Sequence, residues 1–363
     1  GSLSLSNGAN VSSQTIGKGN AGNIIITAFD TVFLNGSEIE TEVDNKARGD
    51  AGNIQITTNS LSLVNGASLE AQTMREGNAG QVIITATDSI FLDGSRVLSR
   101  VDKNAVGNAG GIDITTNSLS LINNAELNVS SFGRGNPGNL VIKADSIRLE
   151  NQGKLTAQTL SGEGGGNIVL QVEDILLLRD NSLISAQASG DAKGGNVDIG
   201  AGFVIALPNQ NNDITASAEK GKGGNINITT QAMFGLEERR STPRNNTNDI
   251  DASSEFGLNG NVSINTPDVD PSRGLANLPI EPANDTEVAQ GCQGGGNQGA
   301  IAFFNTGKGG IAPNPYEPLS SSEIWEDVPR PTQRTATSAS ATPVSTSPTT
   351  PSHKLVEAQG WLI

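Results

Sequence analysis

Residues 22–27 read Gly-Asn-Ile-Ile-Ile-Thr, and residues 52–57 repeat them as Gly-Asn-Ile-Gln-Ile-Thr. The same pattern, a Gly followed by Asn, Gln or Gly and then an alternating apolar run, begins at nine marker glycines: Gly22, Gly52, Gly80, Gly110, Gly138, Gly166, Gly195, Gly224 and Gly260. The successive spacings are 30, 28, 30, 28, 28, 29, 29 and 36 residues. Self-similarity at such a period is typical of a solenoid, in which each unit covers the apolar face of its neighbour.

A longer repeat of two units lies on top of the shorter one. The stretches from Gly22 to Gly80 and from Gly80 to Gly138 are each 58 residues long. Both contain Ile-Thr-Thr-Asn-Ser-Leu-Ser-Leu, at residues 56–63 and 114–121. Duplication of a two-unit block extends a rod, and it is rarely how a catalytic pocket arises.

A single unit contains three short alternating runs. In the unit that begins at Gly52, apolar and polar residues alternate over residues 54–56, 61–63 and 69–72. This alternation has the period of a half-buried strand. Asn65-Gly66 lies between the second and third runs and is the dipeptide best suited to positive φ. The unit therefore predicts three short strands, three turns and no helix.

Two topologies could use such units, an antiparallel sandwich and a parallel β-helix. Only the β-helix requires successive units to match position by position, because each strand then pairs with its equivalent one coil later. Asn residues follow the marker Gly in most units and could bond along a ladder; they are Asn23, Asn53, Asn139, Asn167, Asn196, Asn225 and Asn261. We predict an all-β fold: a right-handed parallel β-helix of about nine coils of 28–30 residues over residues 1–265.

The positions at which the units vary in length agree with this prediction. The alternation of apolar and polar residues fades after residue 264. Insertions at residues 44–49 and 103–107 follow the third run and predict loops on one edge of the coil. The last spacing, 36 residues, accommodates Glu237-Glu238-Arg239-Arg240 and the polar run through Asn248. Leu121 is expected to point into the core and Ser120 away from it.

The C-terminal residues form a different kind of chain. Only three prolines precede residue 260, whereas twelve follow it, and proline cannot donate a hydrogen bond within a central strand. We interpret residues 266–331 as an irregular proline-rich capping segment, with Phe303, Phe304 and Trp325 available to cover the last coil. Residues 332–352 are predicted to be a disordered Ser/Thr/Pro linker, and residues 353–363 a truncated C-terminal segment.

Composition excludes several classes of partner. The formal charge is −15, which argues against nucleic acid and against adsorption to anionic lipid. No apolar stretch approaches the roughly 20 residues that cross a membrane. Cys292 is the only cysteine, so no internal disulfide and no Cys-based zinc site can form. Because residues 3–9 match the middle of a unit, the chain is expected to be a fragment of a longer protein.

No pattern of catalytic or ligand-binding residues stands out. The acidic residues are scattered over loops and outward positions, and no coil is expected to stack Asp or Glu beside Lys or Arg of the next coil. The Gly-rich residues 162–166 and 294–296 read as turns, and Asn128-Val129-Ser130 is a sequon short enough to arise by chance. We predict no catalytic, cofactor-binding or metal-binding residues, no cofactor and no enzymatic activity.

Two blocks carry a resemblance to a known family. The first is the repeated unit Gly-Asn-Ile-x-Ile-Thr-Thr followed by Ser-Leu-x-Leu-x-Asn-Gly. The second is C-terminal: Gly-Cys-Gln at 291–293, Thr-Gly-Lys-Gly-Gly-Ile-Ala-Pro-Asn-Pro at 306–315, Glu-Pro-Leu at 317–319, Trp-Glu-Asp at 325–327 and Val-Glu-Ala-Gln-Gly-Trp at 356–361. Together they resemble the filamentous-haemagglutinin-like exoproteins of two-partner secretion systems, in the form common in cyanobacteria.

The resemblance implies a secreted or cell-surface protein associated with the outer membrane. It also implies an outer-membrane secretion partner, which would act through an N-terminal secretion domain missing from this fragment. The family has no catalytic residues to transfer to this chain. The function expected is structural or adhesive, with cell-surface or extracellular glycans as candidate partners. The alternatives are a carbohydrate-active β-helix enzyme and a carrier stalk for a toxin domain beyond residue 363.

Overall fold

The computed structural model describes residues 1–160, 164–243 and 245–267. The chain divides into two units, Gly1–Leu278 and Pro279–Ile363, and every described residue belongs to the first. Nearly all of the predicted capping segment 266–331, the linker 332–352 and the C-terminal segment 353–363 therefore lie outside the described residues. None of the described residues is helical, so this part of the chain is all-β.

The strands in chain order are β1 (Leu3–Ser6), β2 (Asn10–Thr15), β3 (Ile24–Thr27), β4 (Thr31–Asn35), β5 (Glu38–Val43), β6 (Ile54–Val64), β7 (Ser68–Thr73), β8 (Val82–Asp93), β9 (Arg96–Val101), β10 (Ile112–Ile122), β11 (Glu126–Asn128), β12 (Leu140–Leu149), β13 (Lys154–Thr156), β14 (Ile168–Leu178), β15 (Leu183–Ser185), β16 (Asn196–Ala206), β17 (Asp213–Thr215), β18 (Asn225–Phe234), β19 (Glu237–Glu238), β20 (Asp249–Asp251) and β21 (Asn261–Asn265). They form two sheets. Sheet A has eleven strands in the order β1-β4-β6-β8-β10-β12-β14-β16-β18-β21, with β3 also paired to β6. Sheet B has ten strands in the order β19-β20-β17-β15-β13-β11-β9-β7-β5-β2.

Pairing within both sheets is parallel and runs from one coil to the next. Ile56 in β6 pairs with Ile26 of the previous coil and with Ile84 of the following coil. Sheet B shows the same arrangement, since Leu69 pairs with Ile39 and Val97. The predicted parallel β-helix is confirmed, with about eight turns between the marker glycines.

The strand count per coil differs from the prediction. From the second to the eighth marker, the first two predicted runs belong to one continuous strand of sheet A, such as β6. The inward-facing positions change phase within that strand, from Thr58 to Leu61, because Asn59 and Ser60 both face outward. Thr58 Oγ1 donates to the carbonyl of Ser60 at 3.3 Å and bridges this change of phase. Pairing with β8 continues on both sides of this point, but its register shifts between Thr58 and Ser60.

The predicted positive-φ turn joins the two sheets. Asn65 and Gly66 have φ values of 56° and 77°. The Ala67 N–H donates to the Val64 carbonyl at 3.2 Å and closes the turn. This is the geometry that Asn-Gly adopts readily. The prediction for this dipeptide is confirmed.

The core is a stack of inward-facing aliphatic side chains. Leu121 is 0 % exposed and lies between Leu92 and Leu149 of the neighbouring coils. Ser120, its neighbour in β10, is only partly buried. The predicted facing of Leu121 and Ser120 is thus confirmed, and equivalent positions of successive coils fill one continuous core.

The marker glycines are required by close stacking of the backbone. A Cβ added to Gly80 would overlap the carbonyl oxygen of Gly52 in the preceding coil. A second glycine column shows the same overlap: a Cβ on Gly77 would collide with the Gly49 carbonyl, and Gly77 also has a φ of 136°. Any larger side chain at Gly80 would push the coils apart.

The predicted asparagine ladder is present. Asn53 N–H donates to Asn23 Oδ1 at 2.8 Å. Further along the coil, the amides of Asn167, Asn196 and Asn225 each donate to the Oδ1 of the preceding asparagine, at 3.0, 2.9 and 2.9 Å. These bonds run parallel to the backbone ladder and hold the marker positions in register.

A second ladder was not predicted. Its members are Asn20, Asp50, Asn78, Asn108 and Asn136. The N–H of each of the last four donates to the side-chain oxygen of the preceding member, at 2.9, 2.8, 2.9 and 3.0 Å. The signal for it was a second Gly-Asn or Gly-Asp pair in each of these units.

Insertions occupy two different places. Residues 44–49 and 103–107 follow strands of sheet B, as predicted. Residues 237–248, which account for the longest spacing, instead lie between β18 of sheet A and β20 of sheet B and include β19. Because sequence spacing does not show which sheet a polar insertion precedes, only the strand pairing placed it.

Candidate functional site

A groove runs along the outside of sheet A where its long strands bend. Its volume is about 570 Å³. Its lining residues are Thr85, Ala86, Thr87, Thr115, Thr116, Asn117, Lys143, Ala144, Asp145, Gln171, Val172, Glu173 and Gly200. Thr115, Lys143 and Gln171 follow one another in register on successive coils. The groove therefore offers hydroxyl, amide and charged groups at the strand spacing of about 4.8 Å.

An apolar patch adjoins this groove on sheet A. We define it as Ile175, Leu177, Phe203, Ile205 and Phe234. Ile175, Phe203 and Phe234 are 39, 38 and 55 % exposed. The five side chains occupy two columns on three successive coils, because Ile175 pairs with Phe203 and Ile205 with Phe234. Exposed apolar groups that cluster in this way mark interaction surfaces.

The two columns of the apolar patch differ in earlier coils. The column of Ile175 and Phe203 holds serine in β6, β8, β10 and β12, at Ser60, Ser89, Ser118 and Ser146. The column of Leu177, Ile205 and Phe234 varies instead, through Ser62, Phe91, Ser120 and Arg148. These outward positions are therefore free to vary, and both columns are apolar in successive coils only from β14 onward.

An acidic face lies on the outer side of sheet B. It consists of Glu38, Glu40, Glu42 and Glu70, and Glu40 pairs in register with Glu70. Glu70 is only 2 % exposed, and its Oε1 lies 2.8 Å from Arg96 Nη2 of the next coil. The expectation that no coil stacks an acid beside a basic residue of its neighbour is therefore wrong here. The sequence separations of 26–30 residues conceal these contacts unless the coil register is known.

Burial shifts the acidity of this face. Burial raises the pKa of Glu38 above 4.5, with further contributions from the charges of Glu70 and Glu40. Burial also raises the pKa of Glu42, although a hydrogen bond from Gln72 opposes the shift. In both cases the folded state favours the protonated form.

This shift predicts a pH-dependent stability. The stabilising contribution of protonated Glu42 is complete below its unfolded pKa of 4.5 and is lost as pH rises through the folded pKa. We expect Glu42→Gln to raise the melting temperature by about 2 °C at pH 7, and the gain should shrink as pH falls towards 4. Glu255→Gln, at an exposed position, is the control and should change little. A gain that persists unchanged at acid pH would contradict the assignment.

Asn128 and Gly166, which were also considered from the sequence, lie at closely packed positions. Asn128 of the sequon is 8 % exposed, and its Oδ1 accepts the Ser130 N–H at 2.8 Å. This site is not accessible for glycosylation in the folded β-helix. A Cβ on Gly166 would collide with the Gly138 carbonyl, so this glycine is required by the close stacking of the coils, which the sequence interpretation as a turn did not include. Cys292 and residues 294–296 lie outside the described residues.

Two further findings apply to the described ranges. No three or more His, Cys, Asp or Glu side chains are grouped there so as to hold a metal ion. Those ranges also contain no helix with the length and apolarity to cross a membrane.

Comparison with known proteins adds no relative. No protein-family model, no curated protein and no solved structure matches the chain.

Proposed function

We propose that this chain is part of a secreted or cell-surface protein with a structural and adhesive role, and that it acts without catalysis. The observation that carries the proposal is the groove beside the apolar patch on the outside of a continuously packed β-helix. A rigid repetitive scaffold with an extended surface of this kind suits many weak contacts made together.

The chemistry of the two surfaces suits an extended glycan. A sugar ring has an apolar C–H face, which can stack on Phe203 and Phe234, and hydroxyl groups, which can bond to polar side chains such as Lys143 and Asp145. The groove runs along the coil axis, because its lining residues come from successive coils. An elongated polysaccharide lying along that axis would contact both surfaces.

The export route is part of the same proposal. Resemblance to the filamentous-haemagglutinin-like exoproteins supports secretion through an outer-membrane partner. That partner would recognise a domain N-terminal to the β-helix.

The adhesive role predicts a loss of binding when the patch loses its aromatic rings. We expect the full chain to be retained on immobilised extracellular polysaccharide, and Phe203→Ser with Phe234→Ser to lower the apparent affinity at least tenfold, or about 1.4 kcal/mol. Binding is measured by sedimentation with the polysaccharide and by glycan array. The matched control is Phe29→Ser, because Phe29 is 84 % exposed but lies on a distant coil.

Two outcomes would count against this role. Equal losses in the Phe29 control and in the patch variant would show that the patch is not the binding surface. Absence of binding by the unaltered chain to every polysaccharide tested would remove the adhesive proposal itself.

A carbohydrate-cleaving activity is the second candidate. It is favoured by Asp145 and Glu173, two carboxylates that line the groove together with Lys143. Paired carboxylates are the usual groups of glycoside hydrolysis. Release of soluble sugar from the retained polysaccharide, abolished by Asp145→Asn or Glu173→Gln, would favour cleavage over adhesion.

A further inference from the structure

The insertion at residues 237–248 brings a strand to the edge of sheet B. β19 precedes β20 in the chain. In the sheet, however, β20 lies between β17 and β19, so that β19 is the outermost strand. The N–H groups of Glu237 and Arg239 donate to the carbonyls of Asn248 and Ile250 at 3.2 and 3.1 Å. β19 thus occupies the place where the equivalent strand of a following coil would pair.

Three carboxylates hold the rest of the insertion against the outer side of sheet B. Asp213, Asp249 and Asp251 are 4, 0 and 5 % exposed. Ser241 binds two of them, since its Oγ donates to Asp213 Oδ2 at 2.7 Å and its N–H donates to Asp251 Oδ2 at 3.1 Å. Hydrogen bonds that involve a charged group are stronger than neutral ones.

The third carboxylate, Asp249, receives donors from along the insertion. Asn245 Nδ2 and Thr247 Oγ1 donate to its Oδ2 at 2.8 and 3.0 Å, and Arg239 Nε donates to its Oδ1. At the base of the insertion, Asn248 Nδ2 donates to the carbonyls of Leu207 and Gly235 at 2.9 and 2.7 Å. The insertion is therefore docked along its length and not only at β19.

We propose that residues 237–248 cap the edge of sheet B and so prevent β20 from pairing with the edge strand of a second copy of this chain. An uncovered edge presents a row of N–H and C=O groups that can template a strand from another molecule. β19 itself is a poor template, because it has only two residues and both are exposed glutamates. With the cap in place, the edge of sheet B is β19, which resists pairing, and not β20, which could pair with another strand.

Within the described residues, sheet A ends differently at the same coil. Its last strand, β21, has five residues, and Pro267 follows two residues later without an N–H to donate. The docked insertion is specific to sheet B, where the short strand β20 would otherwise form the edge.

The test removes the cap from the full chain. Residues 237–247 are replaced by Asp-Asn, the residues at positions 180–181 in the turn that joins the two sheets two coils earlier, so that the core residue Leu236 is kept. We expect this variant to self-associate with an apparent dissociation constant at least tenfold lower than that of the unaltered protein, measured by sedimentation velocity over a concentration series. A variant that keeps its β-sheet circular dichroism and its cooperative unfolding but sediments like the unaltered protein would overturn the proposal.

Point variants and hydrogen exchange cover the case in which the replacement does not fold. Arg239→Glu places a carboxylate against Asp249 and should promote association, whereas Arg240→Glu, at the exposed neighbouring position, should not. Equal association of the two folded variants would contradict the cap. In the unaltered protein the amides of Glu237 and Arg239 should exchange slowly, and exchange at the rate of an open chain would also overturn it.

Discussion

Leu121→Asp should lower the free energy of unfolding by at least about 4 kcal/mol. The side chain of Leu121 is fully buried between Leu92 and Leu149 of the adjacent coils. A carboxylate at this place would lose its hydration and have only aliphatic neighbours inside the core. The substitution also removes the packing that links three successive coils.

Ser120→Asp provides the matched control one residue away. Ser120 faces outward, and its neighbours in register are Phe91 and Arg148. An added carboxylate there stays hydrated and lies beside a cation, so we expect a change below about 0.5 kcal/mol. Chemical denaturation followed by circular dichroism compares the two variants. Similar losses at both positions would mean that the inward and outward faces of β10 are reversed.

Gly80→Ala should be the second most damaging change, at about 3 kcal/mol or more. The added methyl group would overlap the carbonyl oxygen of Gly52 in the preceding coil, and the position of a Cβ is fixed by the backbone that carries it. Side-chain rotation cannot relieve such a clash. The coils would have to separate at this corner, which would lengthen the hydrogen bonds of the ladder.

Gly200→Ala tests whether this cost comes from stacking and not from the loss of glycine. Gly200 lies within strand β16, where an added Cβ would come no closer than 4.0 Å to the Leu170 carbonyl oxygen. Alanine also restricts the unfolded chain more than glycine does, so this variant should be neutral or slightly stabilising. If thermal and chemical unfolding place the two variants within about 0.5 kcal/mol of each other, close stacking at the marker glycines would be refuted.

Leu121→Asp and Gly80→Ala also test how far binding depends on an undamaged β-helix. Damage in a solenoid stays close to its own coil, because each unit contacts only its neighbours. Leu121 lies in β10 and Gly80 just before β8, on the first two coils of the groove, whereas the apolar patch begins in β14, two coils beyond β10. Binding through the patch should therefore survive a local defect better than binding along the groove.

In a parallel β-helix, residues at equivalent positions of successive repeats lie in contact. Much of the fold was therefore predictable from the repeat. Ile56 touches Ile26 and Ile84 for the same reason that the three share one position in the repeat. The facing of Leu121, the Asn65-Gly66 turn and the ladder through Asn167 followed from that rule alone. Each needed only the period and the alternation of apolar and polar residues.

The candidate surfaces were less predictable, since they depend on the exact register of long strands. The apolar patch combines residues that pair 28 or 29 positions apart, and its members do not stand out within the sequence of their own units. The acidic face was read as scattered charge because Glu40 and Glu70 become neighbours only after the coils stack. Arg96 joins them from the next coil, which the local sequence around it does not indicate.

The sequence by itself determined the period, the all-β class, the parallel stacking and the inward-facing residues, because each of these is set by spacing along the chain. Only the tertiary structure decided that two predicted strands merge at Asn59 and Ser60, and that residues 237–248 precede β20 and place β19 outside it. The first outcome depends on whether strand pairing can continue past the irregularity at Asn59 and Ser60. The second depends on which hydrogen-bond donors reach the buried carboxylates of sheet B. Both are decided by contacts between groups far apart in the sequence, and such contacts leave no periodic pattern in the order of residues.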